Sequence, residues 1–196
     1  MLICIPDISG FTKFMSETDY ELNSKVVPSL LNEIIYSNKI GLKVSEIEGD
    51  AVLFFKRGEL PPLKNLITQC QFFYKQFHKQ LATLNDDFKN NKDGKTISET
   101  LGLKIVLHYA EGVDSVQIGK HIKLVGEDVI VAHRLLKNKI DCEEYILLSN
   151  KLIKQYDLKE ANPNDYLAQL KQGKDYYEHI GEIQYSYIDL KPLINN

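Results

Sequence analysis

Apolar positions along this chain fall into two kinds of pattern: short runs of four to eight residues, and longer stretches where they recur every third or fourth position. Leu2 to Pro6 is apolar until Asp7, which predicts a core strand, and Gly10 then allows a tight entry into a helix starting near Phe11. A helix is expected from about Glu21 to Lys39. Leu42 to Ile47 alternates polar and apolar, Ala51 to Phe55 is apolar, and Glu48, Gly49 and Asp50 join them as a hairpin turn. From about Pro62 to Asn90 the positions Leu63, Leu66, Ile67, Cys70, Phe73, Tyr74 and Phe77 form one buried stripe of a long amphipathic helix. Aromatics at that spacing are read as core rather than as a base-stacking platform. A polar loop is expected from Asn90 to Glu99 and a strand from Leu101 to Tyr109, with Val113 to Ile118 pairing with that strand or its neighbour. A helix from Glu127 to Lys137, a strand from Glu144 to Leu148, a short helix from Asn150 to Tyr156 and a hairpin around Gly181-Glu182 complete the chain. Mixed strands flanked by helices predict an α+β, palm-like sandwich.

The length of 196 residues suits one domain over 1–196, large enough to bury roughly two thirds of its unfolded surface. A formal charge of −3 argues against a nucleic-acid partner, and the cations are mostly lysine, with Arg57 and Arg134 the two arginines. Cys4, Cys70 and Cys142 lack metal-ligand spacing and are expected as inert thiols in a reducing cytoplasm. The apolar N-terminal run is short, ends at Pro6-Asp7 and has no basic start, so a core strand is expected there rather than a signal peptide or membrane span.

The chemistry concentrates in two acidic turns, PDISGFT from Pro6 to Thr12 and EIEGDAVLFF from Glu46 to Phe55. Each puts an aspartate at the edge of an apolar strand, so Asp7 and Asp50 can meet. Two carboxylates beside a glycine-bearing turn into a helix suit a divalent metal and phosphate oxygens.

These turns resemble the two metal motifs of class III nucleotidyl cyclase catalytic domains. Val26 to Ile35, Leu103 to Tyr109, Val125 to Arg134 and the tail HIGEIQYSYIDL are similar to later segments of that family, in the same order. The chain also resembles an uncharacterised bacterial family distantly related to those cyclases. The resemblance implies a ferredoxin-like, mixed or antiparallel sheet, and two Mg²⁺ or Mn²⁺ ions held by Asp7, Asp50 and Ile8. It further implies a phosphate cradle of Ser9, Gly10, Phe11 and Thr12, with Arg134 stabilising charge on a triphosphate. Glu46 and Lys123 fall at the base-reading positions. The expected partners are a nucleoside triphosphate and a second copy in a head-to-tail homodimer, in which one subunit's aspartates face the other's Arg134; neither nucleic acid nor a membrane is expected.

The departures matter as much. Ile130 stands where the family has a transition-state asparagine, and loss of one preorganised donor typically lowers turnover by about 100- to 1000-fold. Asp128 replaces a small hydroxyl residue and is expected to add negative charge where a triphosphate approaches. Glu46 and Lys123 invert the charge order found in adenylyl cyclases; a glutamate accepts from guanine N1–H and N2–H and a lysine donates to O6, and uracil satisfies the pair nearly as well. The other reading of the pair is an ion pair in a pocket that no longer takes a base. His108 is expected as a hydrogen-bonded core residue, His133 as packed or exposed rather than facing substrate, and Glu48 as a candidate third carboxylate. Two functions therefore stand side by side: a cyclase acting on GTP or UTP in preference to ATP, and a pseudoenzyme that binds nucleotide or dimerises to regulate a partner. A haloacid-dehalogenase-type phosphatase is disfavoured, because Ser9 stands where its second acid belongs.

Overall fold

The structure, a computed structural model, describes residues 1–92, 94, 96–119, 121–156 and 169–193. Its centre is β1 (Leu2–Ser9), which pairs antiparallel with β3 (Ala51–Lys56) on one side and β4 (Gly102–Tyr109) on the other. β2 (Lys43–Glu48) forms one edge beyond β3. On the other flank β4 runs parallel to β7 (Tyr145–Ser149), which pairs with β9 (Gly181–Asp189), and β9 with the edge strand β8 (Lys171–Tyr177). The seven strands lie in the order β2-β3-β1-β4-β7-β9-β8. This parallel pair needs a crossover, which carries β5 (Asp114–Ile118), β6 (His121–Val125) and α5 (Glu127–Leu135).

Val113 to Ile118 does not join the main sheet. β5 pairs with β6 as a separate two-stranded hairpin, in which none of its residues is buried. The expected polar loop before β4 also contains a helical turn, α4 (Thr96–Thr100), whose Ile97 is fully buried.

Period-two alternation sorts the central strands onto two faces. Leu2, Cys4 and Ile8 of β1, Val52 and Phe54 of β3, and Leu103, Ile105 and Leu107 of β4 pack with α2 (Tyr20–Tyr36) and α3 (Leu63–Asp87). Ile3 and Ile5, with Ala51 and Leu53, pack instead against Val129 and Ala132 of α5. Asp7 follows Ile3 and Ile5 on that second face, and on β4 Lys104 precedes Val106 there. Asp19 caps α2 by accepting from Leu22 N–H at 2.8 Å. Gly10 precedes α1 (Phe11–Glu17) at φ +78, and a Cβ there would lie 2.0 Å from the Thr100 carbonyl oxygen, so glycine is required on both counts.

The α3 face is held by large side chains, and the Phe54 and Phe73 rings stack at 5.7 Å. Phe73 has no solvent exposure. Phe73→Ala is expected to lower the free energy of unfolding by about 3–5 kcal/mol, and Phe73→Leu by less, as measured by urea denaturation. A loss below about 1 kcal/mol for the alanine variant would contradict this packing.

Candidate functional site

Two turns and one helix end converge on the α5 face. The β2–β3 hairpin closes through Gly49 and Asp50, with Glu48 opposite Ala51 and Gly49 at φ +62, the conformation that a tight turn takes at no steric cost in glycine. Ile8 N–H then donates to the Asp50 carbonyl at 3.0 Å, latching the turn to the end of β1. Asp7 and Asp50 therefore both line one cavity of about 670 Å³, together with Glu48, Lys104, Ile130, His133, Arg134 and Lys137.

Lys104 dominates the floor of this cavity. It sits directly across from Asp7 in the β1–β4 register, and its Nζ lies 2.9 Å from Asp7 Oδ2. Nζ also donates to the Leu136 carbonyl at 3.4 Å, at the C-terminal end of α5, where the helix dipole favours a cation. Burial pushes the Asp7 carboxyl above the usual carboxylate range and Lys104 only partly counters it. Lys104 loses hydration as well, but Asp7 outweighs that and holds the ammonium above the ordinary lysine value. Asp50 is also pushed up by partial burial. Lys104 was not picked out in the sequence, although a signal exists: it is the single charge within the apolar run from Leu101 to Leu107.

Arg134 projects from the last turn of α5 into the same cavity, and among the described residues its guanidinium has no hydrogen-bond or ion-pair partner. α5 packs over Ile3 and Ile5, which brings Arg134 into the lining of the cavity that its own chain's Asp7 and Asp50 also line. His133 lines the cavity too, with Nδ1 3.4 Å from Glu48 Oε2. Ile130 is 56% exposed and presents only an aliphatic surface there.

Other expected site residues lie outside the cavity walls. The Ile8 side chain is buried on the opposite face. Ser9 Oγ donates to the Glu143 carbonyl at 2.8 Å, and Gly10, Phe11 and Thr12 belong to the entry into α1 rather than to the cavity lining. Glu46 Oε2 and Lys123 Nζ, on β2 and β6, close on each other at 2.7 Å, also outside the lining.

Of the two aspartates that would hold a metal, Asp7 carries the Lys104 ammonium on its carboxylate at 2.9 Å, and among the described residues no three His, Cys, Asp or Glu side chains are grouped so that they could hold a metal ion.

Asp128 is not among the residues that line this cavity. Instead of facing a triphosphate it turns into the core, where Oδ1 accepts from Lys151 Nζ at 2.9 Å and pairs with His108 Nε2 at 3.1 Å, and Oδ2 accepts from Glu111 N–H at 2.6 Å. Burial opposes its charge, but the bonds from Lys151, Glu111 and His108 together hold the carboxyl below its usual range. His108 Nδ1 lies 2.8 Å from Ser149 Oγ, so the network ties β4, β7 and the first turn of α5 together. It fixes the helix that carries Ile130, His133 and Arg134.

No helix among the described residues is long and apolar enough to cross a membrane. Residues 27–145 match the family described as "Protein of unknown function (DUF2652)". The uncharacterised protein Rv2561/Rv2562 of Mycobacterium tuberculosis is 28% identical over 176 residues, covering 82% of this chain and 72% of that protein. Among solved structures, the guanylyl cyclase Cya2 superposes with a TM-score of 0.64 at 15% identity, over 95% of this chain and 90% of that one. The adenylyl cyclase CyaB from P. aeruginosa gives 0.61 at 16% identity, over 96% and 93%. The guanylate cyclase domain of RhGC from Catenaria anguillulae, solved in complex with GTP, gives 0.59 at 18%, over 95% and 94%. The fold is thus that of class III adenylyl and guanylyl cyclase catalytic domains.

The His108 network makes stability depend on pH with a definite sign. Burial lowers the His108 pKa against the pull of Asp128, so the unfolded chain takes up a proton first as pH falls below about 6.5. Stability is then lost progressively below that pH, and Asp128, depressed in the fold, adds a further loss in the acid range below about 3.9. Urea midpoints of the wild type are expected to fall from pH 7 to pH 5 more steeply than those of His108→Asn; equal slopes would contradict the buried, neutral histidine.

Proposed function

The chain belongs to the DUF2652 family, and we propose that it is a single cyclase-homology domain that binds a nucleoside triphosphate in the Asp7–Asp50 cavity. The observation that carries this reading is the Arg134 guanidinium, projecting unpaired into the same cavity as two strand-end aspartates. Guanidinium meets phosphate oxygens with two parallel hydrogen bonds, and an unpaired one has no competing partner to give up. Lys137 adds a second cation on the same side. In this reading Asp7 and Lys104 set the charge at the cavity floor, and Arg134 takes the terminal phosphates.

Formation of a 3',5'-cyclic nucleotide with release of pyrophosphate is the activity the fold suggests. Ile130 weighs against fast turnover, because an exposed aliphatic side chain at that point of the cavity offers no donor to a developing charge. The reading adopted is therefore tight nucleotide binding with slow or absent cyclisation, which suits a pseudocyclase that reports nucleotide or regulates a partner in the cytoplasm. A homodimer accords with the exposed apolar side chains Val44 and Ile47 of β2, Ile118 and Val125 of the β5–β6 hairpin, and Ile130.

Binding of each triphosphate by calorimetry, with pyrophosphate and cyclic product scored in parallel, tests this directly. Arg134→Ala is expected to weaken GTP binding by about 1.5–3 kcal/mol, because a charge-assisted pair is lost, while leaving the unfolding midpoint unchanged. Unaltered affinity would remove the triphosphate from this cavity.

The Glu46–Lys123 pair generates a separate expectation. GTP or UTP binds more tightly than ATP by about 1–3 kcal/mol if a base edge enters between the two charges. The double change Glu46→Lys with Lys123→Asp then moves preference toward ATP, whereas equal affinities for all four triphosphates in the wild type would make the pair structural.

A further inference from the structure

Lys104 occupies a position that a divalent cation would otherwise compete for. Its ammonium is held on two sides, by Asp7 Oδ2 at 2.9 Å and by the Leu136 carbonyl at 3.4 Å. The register places the two residues directly opposite each other on neighbouring strands, so the contact is set by backbone pairing and needs no rearrangement. The Asp7 side chain is only 10% exposed, which makes the paired state strongly preferred over a lone buried carboxylate. The charges of the cavity also balance without any bound ion: Asp7, Glu48 and Asp50 face Lys104, Arg134 and Lys137, three carboxylates against three fixed cations, with His133 beside Glu48.

We infer that Lys104 is a built-in cation that takes the place of a metal ion at Asp7, so that the cavity accepts a nucleoside triphosphate with one divalent metal at most and retains it without any. The ammonium neutralises the aspartate that a phosphate would otherwise meet, and two of its three N–H groups are taken by these contacts, leaving one for a phosphate oxygen. A divalent ion binds Asp7 only by displacing an ammonium that has a short, shielded pairing. This rests on the reading of the cavity as a triphosphate site, but its metal arm is independent of nucleotide.

That arm measures Mn²⁺ alone, by calorimetry or by the loss of its free-ion electron paramagnetic resonance signal. Lys104→Gln, which keeps the stem and removes the charge, is expected to bind Mn²⁺ at least about tenfold more tightly than the wild type, a difference of about 1.4 kcal/mol. Asp7→Asn added to Lys104→Gln returns the affinity to the wild-type level, and Lys104→Arg, which restores a cation, behaves as wild type. Thermal unfolding of each variant establishes that it is folded, and Lys104→Met serves if the glutamine variant is not. Mn²⁺ affinity that is equal or weaker in the charge-removing variant overturns the inference.

The nucleotide arm measures GTP binding in EDTA and in Mn²⁺. The wild type is expected to lose no more than about tenfold in affinity in EDTA, whereas Lys104→Gln loses measurable binding there and regains it with Mn²⁺. Strict metal dependence in the wild type overturns the inference. Absence of GTP binding by any variant in either condition overturns the proposed triphosphate site, and the Mn²⁺ result still decides the role of Lys104.

Discussion

The cross-strand contact between Asp7 and Lys104 is the interaction on which the rest of the site depends. It joins the end of β1 to the start of β4 on the face that packs against α5, with Ile3, Ile5 and Val106 above it on the same two strands. A carboxylate left there alone would be strongly disfavoured, and so would an ammonium. Paired, they let the sheet carry charge to the mouth of a cavity without breaking the alternation that builds its core. The same contact reaches α5 through the Leu136 carbonyl, so the helix bearing Arg134 is referenced to the aspartate it faces.

A second polar device fixes the other end of α5. Asp128 in the first turn of the helix is held by Lys151, His108 and the Glu111 N–H, which anchors the helix N-terminus to β4 and β7. Acid in the first turn also suits the helix dipole. With both ends tethered, Ile130, His133 and Arg134 are presented from a rigid scaffold rather than from a loop. What they present is unequal: one unpaired guanidinium, one imidazole beside Glu48, and one aliphatic side chain where a donor would speed chemistry. The arrangement favours holding an anion over transforming it.

The architecture was largely legible in the sequence because it follows from periodicity. The apolar run ending at Asp7, the Gly49-Asp50 hairpin and the stripe from Leu63 to Phe77 each determine their own element, and the motif order identified the cyclase fold. Side-chain direction was less accessible. Asp128 was expected to face substrate, yet it satisfies a buried histidine and a half-exposed lysine that come from strands and helices 20 or more residues away. Val113 to Ile118 carried a strand pattern without showing which partner it would choose; β5 pairs with its neighbour β6, and none of its residues is buried. Arg134 shares a cavity with its own chain's aspartates because of how α5 folds back, a tertiary result. Lys104 was visible as a lone charge in an apolar strand, but its partner depends on the β1–β4 register, which pairs residues 97 positions apart.

The central claim is that the cavity between Asp7, Lys104 and Arg134 is where a triphosphate sits. A crystal structure of the protein with Mn²⁺ and 3'-deoxy-GTP, which lacks the hydroxyl needed for cyclisation, tests this most directly. The account predicts the terminal phosphates against the Arg134 guanidinium, with the Lys104 ammonium still on Asp7 and anomalous manganese density at no more than one position. A triphosphate bound away from Arg134, or two manganese ions bridged by Asp7 with Lys104 displaced, would contradict it.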